Sequence, residues 1–148
     1  MTIAGGCQCG AVRYSLQGGP YPVYACHCRE CQKQSASAFA LSMPVPVQAF
    51  AIEGTLDEYC RPASGGRSTD GFFCPACGTR LFHRSSASGA FVTVKAGTLD
   101  DASNIQVRAH LWVSRKQPWV TLDPEVPAFD TQPEDMSAWR ERLMEDAP

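Results

Sequence analysis

Apolar and polar residues along this chain alternate over short runs, and turn residues cut those runs at close intervals. Across residues 11–16, Val12, Tyr14 and Leu16 share one face while Arg13 and Ser15 share the other. Residues 39–43 alternate large apolar side chains with small ones, and 50–53, 55–60, 80–83, 90–95, 107–113 and 119–122 are further short runs of strand-like character. A period of two puts successive side chains on opposite faces of a strand. Gly5-Gly6, Gly18-Gly19-Pro20, Gly65-Gly66, Pro118, Pro124 and Pro127 supply the breaks. Short strands at regular spacing, bounded by turns, predict an all-β or mainly-β domain.

Helical spacing is rarer. Residues 28–37 predict one short helix that follows a Cys-His-Cys turn. Near the end, Asp130 or Thr131 stands ready to cap a helix running through Pro133, Glu134 and Asp135, with Met136, Trp139, Leu143 and Met144 as its apolar stripe. Proline in the first turn and acids near the start suit that assignment. The chain shows no internal repeat, linker or low-complexity tract, and 148 residues fall within the ~100–200 typical of one domain. A single domain over residues 1–148 is expected.

Charge narrows the function. Lys and Arg total 13 against 15 Asp and Glu, a formal net charge of −2, and no basic stripe appears. That counts against nucleic acid or an anionic membrane as the partner. Residues 1–10 lack a basic stretch followed by an apolar run, and nowhere do ~18 apolar residues follow one another. A cytoplasmic protein is expected, in a compartment where thiols stay reduced and clustered cysteines mean metal or redox chemistry.

Cysteine usage then changes the picture. Seven of the eight cysteines lie in three tight groups: Cys7 and Cys9, then Cys26, Cys28 and Cys31, then Cys74 and Cys77. The outer pairs together make four thiolates, enough to close a tetrahedral zinc site, whereas the middle group supplies three and leaves one position for water or substrate. Gly6 and Gly10 flank the first pair and Gly78 follows the second, as in knuckle turns whose amides point at thiolate sulfur. Four thiolates saturate a structural zinc. In the middle group, Cys28 and Cys31 at i, i+3 share one face of a helical turn, so these three cysteines are candidates for a catalytic zinc. The other reading is that Cys60 or a histidine completes a second closed site. Cys60 itself reads as an unligated strand cysteine, and His27, His83 and His110 read as framework residues.

At these residues the chain resembles the glutathione-dependent formaldehyde-activating enzyme family, also called aldehyde-activating or centromere protein V-like. The resemblance rests on residues 6–14 around Cys7 and Cys9, residues 26–35 around Cys26, Cys28 and Cys31, and residues 73–81 around Cys74 and Cys77. The stretch from His110 to Ser114, Trp119, and Pro127-Ala128-Phe129 resembles the family's C-terminal end. The likeness covers residues 5 to about 130, leaving a C-terminal helix and tail over about 131–148. It implies a β-tent, a zinc-ribbon-like fold of two small antiparallel sheets. It further implies a structural zinc on Cys7, Cys9, Cys74 and Cys77 and a catalytic zinc on Cys26, Cys28 and Cys31. Family members often carry Gly where this chain has Ala36, and many carry Arg where it has Gly71.

The activity so implied joins glutathione and formaldehyde into S-hydroxymethylglutathione, a carbon–sulfur lyase reaction run in the synthetic direction. A small thiol and an aldehyde are the expected partners, two zinc ions per chain the expected cofactors, and a homodimer is left open. Arg29, Lys33, Arg61 and Arg67 are candidates for holding the carboxylates of glutathione, each balanced against service as a solvated surface charge. The rival reading, from a different class, is a non-catalytic zinc module that binds a protein partner.

Overall fold

The computed structural model describes residues 1–146, so the last two residues of the predicted tail, Ala147 and Pro148, lie outside it. The chain is mainly β, 38% strand against 20% helix, with two sheets and a short C-terminal helix, in accord with the expected class. The strands, in chain order, are β1 (Thr2–Gly6), β2 (Arg13–Gln17), β3 (Val23–Cys26), β4 (Ala40–Pro46), β5 (Phe50–Glu53), β6 (Asp57–Pro62), β7 (Ser68–Phe73), β8 (Arg80–Ser85), β9 (Phe91–Lys95) and β10 (Val107–Leu111). Among the described residues there are two α-helices, α1 (Arg29–Ser35) and α2 (Met136–Glu145), and four three-residue 3-10 turns. The chain forms two compact units, one from residues 1–19 and 44–104, the other from 20–43 and 105–148. Neither is a contiguous segment.

In the first unit, β2 lies between β1 and β5, antiparallel to both, with Tyr14 opposite Gly5 and Ile52. The strands β6, β7, β8 and β9 form a second antiparallel run in that order. Val12, Tyr14, Leu16, Leu81, Phe82, Val92 and Val94 are buried. Alternation in 11–16 therefore reports a real face. The ring of Phe82 stacks on Phe72 with centroids 4.5 Å apart and meets Phe50 edge-on at 4.9 Å. Such contacts add ~0.5–1.5 kcal/mol beyond area burial.

In the second unit, β3 lies between β4 and β10. Its pairing with β10 is parallel, a departure from the antiparallel pattern expected, and 80 residues separate the ends of the two strands (26 to 107), ample for the long connection a parallel pair requires. Tyr24, Cys26, Ala109, Leu111 and Trp139 form the buried core, with Trp112, Phe129, Met136 and Leu143 packed against it. Trp139 of the apolar stripe meets Tyr24 edge-on at 5.2 Å. The stripe thus docks α2.

Two local expectations are corrected. Asp135 caps α2, its Oδ1 accepting from the Ala138 N–H at 2.9 Å, in place of Asp130 or Thr131. The carbonyls of Asp130 and Thr131 instead accept from the N–H groups of Ser114 and Trp112, which ties this stretch to residues 112–114. Residues 119–122 are not a strand. Pro118 removes an N–H, the Val120 N–H turns back to Gln117 O, and Lys116 Nζ donates to the Val120 carbonyl at 2.7 Å, leaving that backbone occupied.

Two candidate metal centres

The first centre is built within the first unit from two turns of similar design. After β1, the Cys7 N–H donates to Val12 O and the Gly10 N–H to Cys7 O, while Gly10 takes φ +81°. After β7, the Cys74 N–H donates to Thr79 O and the Gly78 N–H to Cys74 O, with Gly78 at φ +76°. A left-handed residue closes each turn, and glycine takes that conformation at no steric cost. Thr79 links the two: its hydroxyl accepts from the Gln8 N–H at 3.1 Å and lies 3.2 Å from Cys77 Sγ.

The four sulfurs of Cys7, Cys9, Cys74 and Cys77 lie within 4.8 Å of one another and could hold a metal ion. Cys7 Sγ is 3.5 Å from Cys9 Sγ, and Cys9 Sγ is 3.8 Å from Cys74 Sγ. Thiolates ~2.3 Å from a tetrahedral zinc stand about 3.8 Å apart, so the set fits zinc. Cys7 and Cys74 are buried, and the Val12 N–H donates to Cys7 Sγ at 3.2 Å, which disperses thiolate charge. The Thr79 hydroxyl, with the N–H groups of Thr79 and Cys9, pulls the Cys77 thiol down to about 5. None of the eight cysteines is in a disulfide.

The second centre lies within the second unit, where β3 runs into α1. Cys26 ends the strand, His27 follows, and Cys28 is the N-cap of the helix, its sulfur accepting from the Cys31 N–H at 3.3 Å. The sulfurs of Cys26, Cys28 and Cys31 lie within 4.8 Å of one another and could hold a metal ion. Among the described residues, neither a histidine nor Cys60 joins that group; Cys60 is exposed on β6. Cys26 is buried whereas Cys28 and Cys31 are half-buried. The neighbouring thiols of Cys26 and Cys31 hold Cys28 down at about 2, with amide N–H groups adding to the effect. The same crowding pushes Cys26 far up.

His27 and His110, read from the sequence as framework residues, and Gln32, which the sequence did not single out, carry the framework around this centre. His27 is fully buried, its N–H donating to Leu111 O at 2.9 Å and its Nε2 lying 3.0 Å from His110 Nδ1. Burial holds His27 at about 4, hence neutral. Gln32, the buried residue of α1, donates from Nε2 to the carbonyls of His27 and Arg115 at 2.7 and 2.9 Å, and its Oε1 accepts from Arg29 and Gln117 at 2.6 and 2.8 Å. The one sequence signal for Gln32 is its place beside Cys31. Ala36 closes the helix at φ +49°, in the left-handed region that favours glycine. In the first unit, a Cβ on Gly71 would stand 2.8 Å from Arg80 Nη1, so an arginine from β8 covers that position.

The family model described as "Glutathione-dependent formaldehyde-activating enzyme" matches residues 2–115. The chain is 26% identical over 152 residues to a Halomonas elongata protein provisionally named a glutathione-dependent formaldehyde-activating enzyme, covering 97% of each. It also resembles a Rhodobacter sphaeroides protein of known crystal structure, at TM-score 0.55 and 18% identity, over 86% of this chain and 100% of that one. The second likeness concerns the fold alone.

Proposed function

This chain belongs to the glutathione-dependent formaldehyde-activating enzyme family, and we propose that it is a zinc-dependent carbon–sulfur lyase or synthase. Its substrates are a small thiol, glutathione, and formaldehyde or a related aldehyde. Cys26, Cys28 and Cys31 hold the catalytic zinc; Cys7, Cys9, Cys74 and Cys77 hold a structural one. The observation that carries the reading is the contrast between a group of four sulfurs, enough to saturate a tetrahedral ion, and a group of three, which leaves one position open. Zinc bound by three thiolates supplies a charge that lowers a substrate thiol's pKa.

The chain's own part is to hold and orient. The Cys31 N–H stabilises negative charge on Cys28 Sγ. Gln32 grips the His27 carbonyl and so fixes the loop between Cys26 and Cys28. His27, neutral and tied to His110, leaves the loop's charge to the sulfurs. The reaction itself balances simply: thiol sulfur bonds to the aldehyde carbon, the C=O π bond breaks, and the thiol's proton ends on the former carbonyl oxygen. Holding both reactants together supplies much of the acceleration. The protein works in the cytoplasm, where glutathione and reduced thiols coexist.

Exchange spectroscopy with carbon-13 formaldehyde and glutathione tests this. The zinc-loaded protein is expected to speed interconversion of free aldehyde and S-hydroxymethyl adduct, and Cys28→Ala to return it to the spontaneous rate. No acceleration by the wild-type protein would overturn the reading.

A further inference from the structure

The helix that carries Cys31 also lines a cleft of about 330 Å³, bounded by Arg29, Gln32, Lys33, Ser37 and Gln117. Two of these residues are cations and both are exposed. Gln32 is saturated, with both N–H groups donated and two bonds accepted at its oxygen, so it offers nothing further to a ligand. What it does is pin Arg29: one guanidinium N–H is bound to Gln32 Oε1, and a guanidinium has five. The remaining fork suits a planar carboxylate, and Lys33, one turn further along the helix, adds a second positive charge.

We propose that this cleft is the carboxylate subsite for the thiol substrate, with Arg29 and Lys33 as its binding groups and Gln32 as the positioning residue that fixes Arg29. The inference rests on the thiol reading above and gives it a specificity. Arg29 follows Cys28 directly and Lys33 lies two residues after Cys31. An extended tripeptide spans about 10 Å, and a central cysteine stands roughly half that from either end, the scale on which Arg29 and Lys33 flank Cys28 and Cys31 along α1. Fixing Arg29 in advance avoids part of the side-chain ordering cost of binding. A thiol bearing carboxylates is selected, and one that is neutral or cationic is not.

The probe is S-methylglutathione, which keeps both carboxylates but has no thiol to offer a metal, compared with its diethyl ester by calorimetry on the zinc-loaded full chain. Wild type is expected to bind the acid at least about tenfold more tightly than the ester, the scale of a charge-assisted bond. Arg29→Ala should bind the acid about tenfold more weakly than wild type and treat acid and ester nearly alike. Gln32→Leu should likewise collapse the acid-to-ester ratio, which a purely structural role would leave unchanged. If wild type prefers the acid and Arg29→Ala keeps that preference, the subsite is overturned while the thiol reading stands. Binding that needs the free thiol and ignores esterification overturns it too. Failure of wild type to bind both glutathione and S-methylglutathione sinks the subsite and the thiol reading together.

Discussion

The sulfur of Cys9 stands 3.8 Å from that of Cys74, although 65 residues separate them in the chain. Two turns far apart in the first unit's sequence thus present their thiols to one point. Structural zinc contributes on the order of 10 kcal/mol of folding free energy in small domains, comparable to the whole stability of a typical protein. Cys74→Ala is therefore expected to lose most of its cooperative thermal transition and far-ultraviolet circular dichroism. Cys60→Ser, at an exposed position outside both sulfur groups, should stay within about 0.5 kcal/mol of wild type.

Ala36 sits in the left-handed region at the end of α1, with its N–H bonded to the carbonyls of Gln32 and Lys33. A side chain there costs roughly 1 kcal/mol that glycine avoids. Ala36→Gly should raise the melting temperature by about 3 °C. A fall would mean that the flexibility glycine adds to the unfolded chain outweighs relief of the strain.

Tyr14 gives a pH signature. Its ring is buried, its hydroxyl lies 2.8 Å from Thr98 Oγ1, and burial pushes it up from 10.0 to about 12. The folded state holds this proton more tightly than the unfolded one, so its contribution is complete below pH 10 and is lost as pH rises towards 12. About two units correspond to roughly 2–3 kcal/mol. Chemical denaturation between pH 9 and 12 should show that loss in wild type and a flatter profile in Tyr14→Phe.

Gln32→Leu removes four hydrogen bonds at once and strands the carbonyls of His27 and Arg115. Each buried group left unsatisfied costs ~1–3 kcal/mol. Denaturation is expected to show a loss of about 2–4 kcal/mol, and competition with a chelator should show weaker metal retention at the middle sulfur group than at the four-sulfur group.

The sulfur groups were legible because ligand spacing is local: C-x-C, C-x-x-C and the i, i+3 pair survive whatever the rest of the chain does. Strands that alternate between an inner and an outer face, such as β2 and the half-buried β5, were legible from alternation. Three strands were not. All four residues of β3 are buried, so no alternation marks it; β1 is short and ends in two glycines; β7 carries Ser, Thr, Asp and Gly in its first four positions. Residues 119–122 have strand composition, yet Trp119 is 75% exposed and the backbone is tied in a turn. The partnerships of His27 with His110 and of Gln32 with Gln117 span 83 and 85 residues, distances over which a pattern along the chain carries no signal.

The inequality of the two sulfur groups is tested most directly by zinc content alongside folding for wild type, Cys28→Ala and Cys74→Ala. The expected result is one zinc per sulfur group in wild type, loss of the middle zinc alone in a folded but inactive Cys28→Ala, and collapse of Cys74→Ala. Equal folding defects in both variants would contradict it, and would point to two structural zincs in a module that does no chemistry.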